Sequence, residues 1–349
     1  MNTPNEAMNT LNPNKIAIPI AIGIGAMIVL IFSNDSIDFQ MVWENLKNAK
    51  IYWVFLAFLV LAIRDLGYMY RIRHLTKKEL SWVSSFFIIV LWEFSSAITP
   101  SVVGGTAVAV FIINQEKIPL GRSLAYVLLT ASLDNLFFVL ASLSVIFFLP
   151  YDIFPVGGDT FKVFGYELPL RGIFTVSVSL IAIYNLLMTI GLFFAPRAFK
   201  RFLGKLTSFS FTKKWRRSAI QIGNDMIIGS MEMKGHNWIY WVKAMLSTVF
   251  IWSARYLMLN CLIAAFSDID LSEHLIIFAR QIIMWIIMLI SPTPGSSGTA
   301  ELSFKLFFDE FFTAGFVLIV AILWRLLTYY AYLVAGAIVI PRWIRRVMK

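Results

Sequence analysis

Ionisable residues set inside apolar runs are where this sequence can do chemistry. Arg64 and Asp65, Glu93, Asp134, Arg255, Arg280, Glu301 with Lys305, and Arg325 all lie in or beside such runs. At the centre of a bilayer a charge costs at least about 2.5–3.5 kcal/mol, so such residues pair with one another or line a polar cavity. Permanent ion pairs would lock helices together; charges facing a cavity would handle a polar substrate. Arg64 and Arg255 are read as lying near an interface, where their heads can snorkel to water.

Two glycine-rich breaks sharpen the cavity reading. Pro294-Gly295-Ser296-Ser297-Gly298-Thr299 ends one apolar helix and starts another, because proline removes a donor and glycine permits positive φ. Val103-Gly104-Gly105-Thr106 does the same from the opposite side. Each new helix presents free N–H groups deep in the membrane, and these groups and the helix dipole favour an anion. Glu301 falls in the first turn of the second limb, one turn before Lys305, a favourable spacing. An anionic head group held by two opposed helix N-termini, with Arg280, Arg325, Glu301 and Asp134 handling charge, is a coherent site. The candidate binding residues are Gly104, Gly105, Thr106, Asp134, Arg280, Pro294, Gly295, Ser296, Ser297, Gly298, Glu301 and Arg325. The plainer alternative is that the breaks only let helices pack closely.

Other chemistry is poorly supplied. His74, His236 and His274 are isolated, and Cys261 is the lone cysteine. No P-loop, G-x-S-x-G or H-E-x-x-H is present. No catalytic residue, metal or cofactor is expected. An intramembrane enzyme acting on lipid head groups would have only Ser296, Ser297 and Glu301 as nucleophile or base.

The elements that hold these residues follow from composition. The chain of 349 residues is 59% hydrophobic and 14% charged, with mean hydropathy +0.76. A soluble domain is roughly 45–50% apolar and about 25% charged. Ile16–Phe32, Ile51–Ile63 and Gly172–Ala195 carry no charge, and about 18 apolar residues cross a hydrocarbon core. The first run has weak positive flanking and no small-residue cleavage site, so it reads as a retained helix rather than a signal peptide.

The net charge of +10 is distributed for a membrane, not for nucleic acid. Arg71, Arg73, Lys77 and Lys78 fall in one connector, eight basic residues from Arg197 to Arg217 in another, and Arg342, Arg345, Arg346 and Lys349 in the tail. The other connectors are acidic: Asp35, Asp38 and Glu44; Asp152, Asp159 and Glu167; Asp268, Asp270 and Glu273. Placing basic connectors inside gives full spans over 15–33, 51–70, 124–149, 171–195, 238–266 and 314–340. Residues 81–115 then begin and end inside, and 274–311 begin and end outside. Their distal limbs of about ten residues cover roughly half a bilayer, so both read as re-entrant hairpins, tolerated where the backbone is buried in protein or lines a wet cavity. Residues 218–237 alternate apolar and polar and read as an amphipathic helix on the inner surface.

The hairpins also echo each other. Trp92, Thr99-Pro100 and Gly105-Thr106-Ala107 recur as Trp285, Thr293-Pro294 and Gly298-Thr299-Ala300, at an offset of 193–194 residues. Arg64-Asp65-Leu66 is echoed by Arg255-Tyr256-Leu257. Opposed copies with paired Gly/Pro breaks mark transporters and point at the binding site.

At these hairpins the chain resembles the membrane domain of the lysylphosphatidylglycerol synthase/flippase family, also called the multiple peptide resistance factor family. The resemblance is carried by Thr99-Pro100, Gly104-Gly105-Thr106-Ala107, Glu116-Lys117-Ile118-Pro119-Leu120-Gly121, Asp134, Pro292, Pro294-Gly295-Ser296-Ser297-Gly298, Glu301 and Arg325, and it covers roughly residues 15–345. It implies a helical lipid translocase domain, fused in some members to a soluble aminoacyltransferase. Two departures stand out. Gly295-Ser296-Ser297-Gly298 replaces the richer Pro-Gly-Gly pattern expected, and the sequence ends at Lys349 without a synthase domain, so lysyl transfer is not expected of it.

The expectation is an all-α polytopic membrane protein of six full transmembrane helices and two re-entrant hairpins, arranged as an inverted-topology repeat in one integral domain. The copies would span about 51–149 and 238–340, separated by a basic connector and interfacial helix over 196–237. The expected function is translocation of an anionic or aminoacylated phospholipid, or of a polyprenyl-phosphate-linked lipid, across a bacterial cytoplasmic membrane, with both termini cytoplasmic. Membrane lipids are the expected partners, nucleic acid is not, and a homo-oligomer is left open. The alternatives are a non-transporting partner of a cell-envelope enzyme and an intramembrane head-group enzyme.

Overall fold

The computed structural model describes residues 39–347 apart from 100–101, 150–152, 156–159, 164–165, 210–211, 289–298 and 314, together with Gly25 and Ile28. The expected span over 15–33 therefore lies outside the described residues save for those two positions. The described elements are α1 (Phe39–Lys47), α2 (Ile51–Leu75), α3 (Trp82–Ile98), α4 (Val102–Gln115), α5 (Leu120–Phe148), β1 (Thr160–Val163), β2 (Tyr166–Pro169) and α6 (Leu170–Thr189), which runs on through a π turn to Phe194. Then follow α7 (Pro196–Leu206), α8 (Arg216–Met233), α9 (Trp238–Ala264), α10 (Leu271–Met288), α11 (Thr299–Phe308), α12 (Phe316–Arg325), a π turn over Leu326–Tyr330, and α13 (Ala331–Val347). The all-α polytopic class holds, with one small addition: β1 and β2 form an antiparallel hairpin in the connector after α5.

Six described helical segments are long and apolar enough to cross a membrane: α2, α5, α6 with its π turn, α9, α10, and α12 continued through α13. Five coincide with expected spans. The sixth, α10, is the first limb of the expected second hairpin; its 18 residues reach across by length, while its mate α11 has only 10.

Local chemistry sets the helix starts. Ser81 caps α3 by accepting the Ser84 N–H at 3.0 Å, and Asn237 caps α9 by accepting that of Tyr240 at 3.0 Å. Asp270 and Glu273 form a reciprocal capping box ahead of α10, at 2.8 and 2.7 Å. The Ser272 hydroxyl and the Glu273 N–H hold the Asp270 carboxyl below the usual carboxylate range. Between spans, small residues admit close approach. A Cβ on Gly67 would stand 2.9 Å from Ile251 where α2 crosses α9, and one on Gly336 would stand 2.3 Å from the Phe94 ring where α13 crosses α3.

Contacts at the two ends of the bundle involve different helix pairs. Arg346 near the end of α13 donates to Ser84 at the start of α3 (2.8 Å) and to Glu116 just after α4 (3.1 Å). At the other end the Ser267 hydroxyl, ahead of α10, donates to the Phe311 carbonyl just after α11 at 2.5 Å. Lys50 pairs with Asp268 at that same end. Residues 216–233 form a helix as the sequence suggests, yet α8 is docked on protein: Gly229 sits against Leu192 and Ala125, and Gly223 against Lys200. The more exposed amphipathic helix is α7, which displays Arg197, Arg201 and Lys205 beside exposed Phe202 and Leu206.

Two apolar cores are stacked along the bundle. One gathers Phe137, Trp252, Ile283, Phe304 and Val317. The other gathers Leu75, Leu91, Ile112, Tyr126 and Trp343. Along α2 the first core takes Ala57 and the second takes Ile72 and Leu75; along α5 the second takes Leu133 and the first takes Phe137. Arg64 on α2 and Asp134 on α5 fall at the boundary between them, whereas Arg280, Glu301 and Arg325 are buried among first-core residues.

Candidate functional site

That boundary is a layer of charge at mid-helix. Arg64 is fully buried at the middle of α2. Its Nε and Nη2 donate to Asp65 Oδ1 at 3.1 and 2.7 Å, and its Nη2 also reaches Tyr332 Oη on α13 at 2.5 Å. The Tyr332 hydroxyl in turn donates to Asp65 Oδ2 at 2.7 Å. Glu93 on α3 stands 3.4 Å from Arg64 and 3.8 Å from Arg255 on α9. Arg255 lies over the faces of Trp285 and Trp252, at 4.6 and 5.3 Å from the ring centres, the geometry of cation–π attraction.

Asp134, at the middle of α5, is held from two helices. Arg71 donates to its two oxygens at 2.5 and 3.3 Å, and Trp252 Nε1 to one of them at 2.9 Å. Arg71 also donates to Thr248 at 3.0 Å. Tyr68 lies under both Arg64 and Arg71, 5.5 and 5.2 Å from its ring centre. The layer thus sets Arg64, Arg71 and Arg255 against Asp65, Glu93 and Asp134, balancing charge where desolvation is dearest. It corrects two sequence expectations. Arg71 belongs to a buried ion pair inside α2, not to the basic connector, and Arg64 and Arg255 face acids and aromatics instead of snorkelling. The missed signal was the spacing of Arg64, Tyr68 and Arg71, at i, i+4 and i+7, which puts all three on one helix face.

The second cluster joins the hairpin ends. Glu301, in the first turn of α11, pairs with Arg325 at 3.0 Å, both buried. Arg325 stacks on Tyr329 at 3.9 Å, and the Tyr329 hydroxyl donates to the Ala97 carbonyl at the end of α3 at 3.1 Å. Tyr329 belongs to the π turn Leu326–Tyr330, a feature frequent at functional sites. One helical turn further, Tyr332 enters the Arg64–Asp65 network, so the two clusters are continuous along one helix. Neither tyrosine was singled out by the sequence.

The remaining candidate residues divide. Pro294, Gly295, Ser296, Ser297 and Gly298 lie outside the described residues. Gly104 and Gly105 fall within the opening turns of α4 rather than in the break, because the helix already begins at Val102. Thr106 follows them, half-buried. A Cβ on Gly105 would meet Ser96 Oγ at 2.4 Å and Ser96 Cα at 3.1 Å, so this glycine does what the plainer reading asks and lets α3 and α4 touch. Arg280 is buried but apart from the other candidates. It donates to the carbonyls of Ile153 (2.9 Å) and Phe307 (3.0 Å) and pairs with Glu310 at 2.7 Å. Among the described residues no group of three His, Cys, Asp or Glu side chains is arranged to hold a metal ion.

A polytopic helical bundle with buried charged clusters between its long apolar helices is the class this fold defines. Residues 16–336 match the family model described as Lysylphosphatidylglycerol synthase TM region, and the chain belongs to that family. It is also 26% identical over 313 residues to a UPF0104 membrane protein of Archaeoglobus fulgidus, covering 86% of this chain and 89% of that protein.

Proposed function

We propose that this protein moves an anionic, aminoacylated or polyprenyl-phosphate-linked lipid across a membrane, acting without catalysis of its own. The observation that carries the reading is the charged layer between the two apolar cores, in which Arg64 and Arg255 face Glu93. A lipid head group needs polar partners at mid-span while its tails stay in the bilayer, and paired charges on helices from both halves supply them. In this reading α3–α4 and α10–α11 are re-entrant hairpins related by an inverted repeat. Their glycine-rich tips, with Thr106, Glu301, Arg325 and Asp134, line the path, and Arg280 braces the second hairpin from behind. The basic connector and both termini face the cytoplasm, and the membrane is a bacterial cytoplasmic one.

Reconstitution tests this directly. Proteoliposomes containing head-group-labelled phosphatidylglycerol should show labelled lipid crossing leaflets faster than protein-free vesicles, by the fraction open to an external quencher. Equal rates with and without protein for phosphatidylglycerol, its lysyl ester and a polyprenyl phosphate would remove the reading. One observation favours a non-transporting membrane partner: the Arg71–Asp134–Trp252–Thr248 set is complete in itself. In that case charge-neutralised variants should lose the fold rather than transport.

A further inference from the structure

The charged layer holds more donors than its acceptors engage. Asp65 is taken up by Arg64 and Tyr332, and Asp134 by Arg71 and Trp252. Among the described residues, Arg64 Nη1, Tyr256 Oη and Trp285 Nε1 are buried and meet no acceptor. Arg255 has one ionic partner among them, Glu93 at 3.8 Å, and otherwise stacks on Trp252 and Trp285. These groups belong to one neighbourhood. Glu93 lies between Arg64 and Arg255, the Trp285 ring lies under Arg255, and Tyr256 follows Arg255 in α9 with its ring 6.1 Å from that of Trp252. Buried donors are normally satisfied, and a group of them left over points to an acceptor-rich ligand.

We infer that Arg64 and Arg255, one from each half of the chain, form an anion site for a phosphate group, with Tyr256 and Trp285 as neutral donors and Glu93 as its resident counter-ion. Glu93 suits that part: its contacts to both guanidinium groups are long, and its side chain keeps 21% exposure, so it can give way to a better acceptor. Phosphate offers several oxygens to the planar Arg255 fork and to Arg64 Nη1, the one Arg64 nitrogen that Asp65 and Tyr332 leave over, and one carboxylate at 3.4 and 3.8 Å does not saturate them. Tryptophan and tyrosine N–H and O–H groups add directional bonds without adding charge. The shared chemistry is a phosphate mono- or diester, from a lipid head group or from a soluble phosphate. The inference rests on the lipid-transport reading for its ligand class, and it names a place distinct from the hairpin tips.

The full-length protein, purified in detergent, is titrated with phosphatidylglycerol and, separately, with diacylglycerol of the same tails, and lipid adducts are counted by native mass spectrometry. Wild type should retain phosphatidylglycerol over diacylglycerol. Arg255→Gln should weaken phosphatidylglycerol retention about tenfold, the loss of one charged hydrogen-bonding partner, and Trp285→Phe should weaken it less. Glu93→Gln should strengthen it, a gain that misfolding cannot mimic. Glycerol 3-phosphate and inorganic phosphate, added as competitors, separate the sources: displacement by either assigns a soluble phosphate, and resistance to both assigns the lipid. Phosphatidylglycerol retention unchanged in all three variants, with melting temperatures matched to wild type, would overturn the site. Retention that follows the predicted order without any leaflet crossing in proteoliposomes would overturn the transport reading and leave the site standing.

Discussion

Arg71 crosses from α2 to α5 and grips Asp134 with both terminal guanidinium nitrogens, at 2.5 and 3.3 Å, while Trp252 holds the same carboxylate from α9 at 2.9 Å. Three spans are thereby tied at one carboxyl group in the middle of the bundle. Removing one partner of a buried pair leaves the other uncompensated, which costs about 3–5 kcal/mol. Asp134→Asn should lower the melting temperature of the detergent-solubilised protein sharply. Arg71→Gln with Asp134→Asn should recover most of that loss, because no lone charge remains. A double variant as unstable as the sum of the two singles would show that the groups are not coupled.

Tyr329 gives a more delicate handle. Its hydroxyl joins the π turn to the end of α3, 3.1 Å from the Ala97 carbonyl, and its ring supports Arg325. Tyr329→Phe keeps the ring and deletes the bond, so stability should fall by only about 1 kcal/mol. If the π turn couples the two hairpins, leaflet crossing should fall by more than that stability change accounts for. A folded Tyr329→Phe variant with wild-type crossing rates would show that the hairpins move independently of this bond.

Gly105 tests close packing in the first hairpin. A methyl group there collides with Ser96 Oγ and crowds Ser96 Cα, and overpacking of this kind costs about 1–3 kcal/mol. Gly105→Ala should destabilise, and adding Ser96→Gly should restore part of the loss, as read by melting temperature. Gly104→Ala provides the comparison within the same turn.

Much of the architecture was legible in the sequence, because a bilayer imposes length and charge rules that leave a visible trace. The limits of α2, α5, α6 and α9, and the end of α3 beside Thr99, follow from apolar runs interrupted by charge, proline and glycine. The charged residues were legible as anomalies, but their partners were not. Arg280 could face Glu301, Asp134 or an anion as far as spacing goes; the partner it takes, Glu310, sits in a connector that only folding brings near. Arg71 was misplaced because charge counting assigns a basic residue near a helix end to the connector, whereas the face it shares with Arg64 and Tyr68 buries it. Tyr329 and Tyr332 left no trace, since an aromatic in an apolar run carries no sign of where its hydroxyl points.

Sidedness is open to chemical test. With Cys261→Ser as background, single cysteines at Thr160 in the β-hairpin and at Ser208 after α7 should react with an impermeant maleimide from opposite faces of sealed vesicles. The reason is the run of α6 between them, a 25-residue apolar segment that spans by length. Labelling of both from one face would require α6 to turn back and would break the arrangement of both halves.

The behaviour of Arg280 separates a brace from a binding residue. Its described contacts tie three places together: the Ile153 carbonyl after α5, the Phe307 carbonyl in the last turn of α11, and the Glu310 carboxylate beyond it. A guanidinium at the C-terminal end of a helix satisfies a carbonyl that has no intrahelical donor and complements the dipole. It therefore holds the short limb α11 against α10 at the end away from the tip. Arg280→Gln should leave those carbonyls under-satisfied and lower the melting temperature. Arg280→Lys should recover only part, because a single ammonium cannot reproduce the planar fork. Glu310→Gln should cost less than Arg280→Gln, since the Glu310 side chain is 47% exposed and water can take its place beside the buried guanidinium, which keeps its two carbonyl acceptors. If Arg280 instead grips a head group, Arg280→Gln should melt like wild type and lose lipid crossing alone. The two outcomes are read from the same preparation, one by thermal melting and the other in proteoliposomes, and the contacts above favour the first.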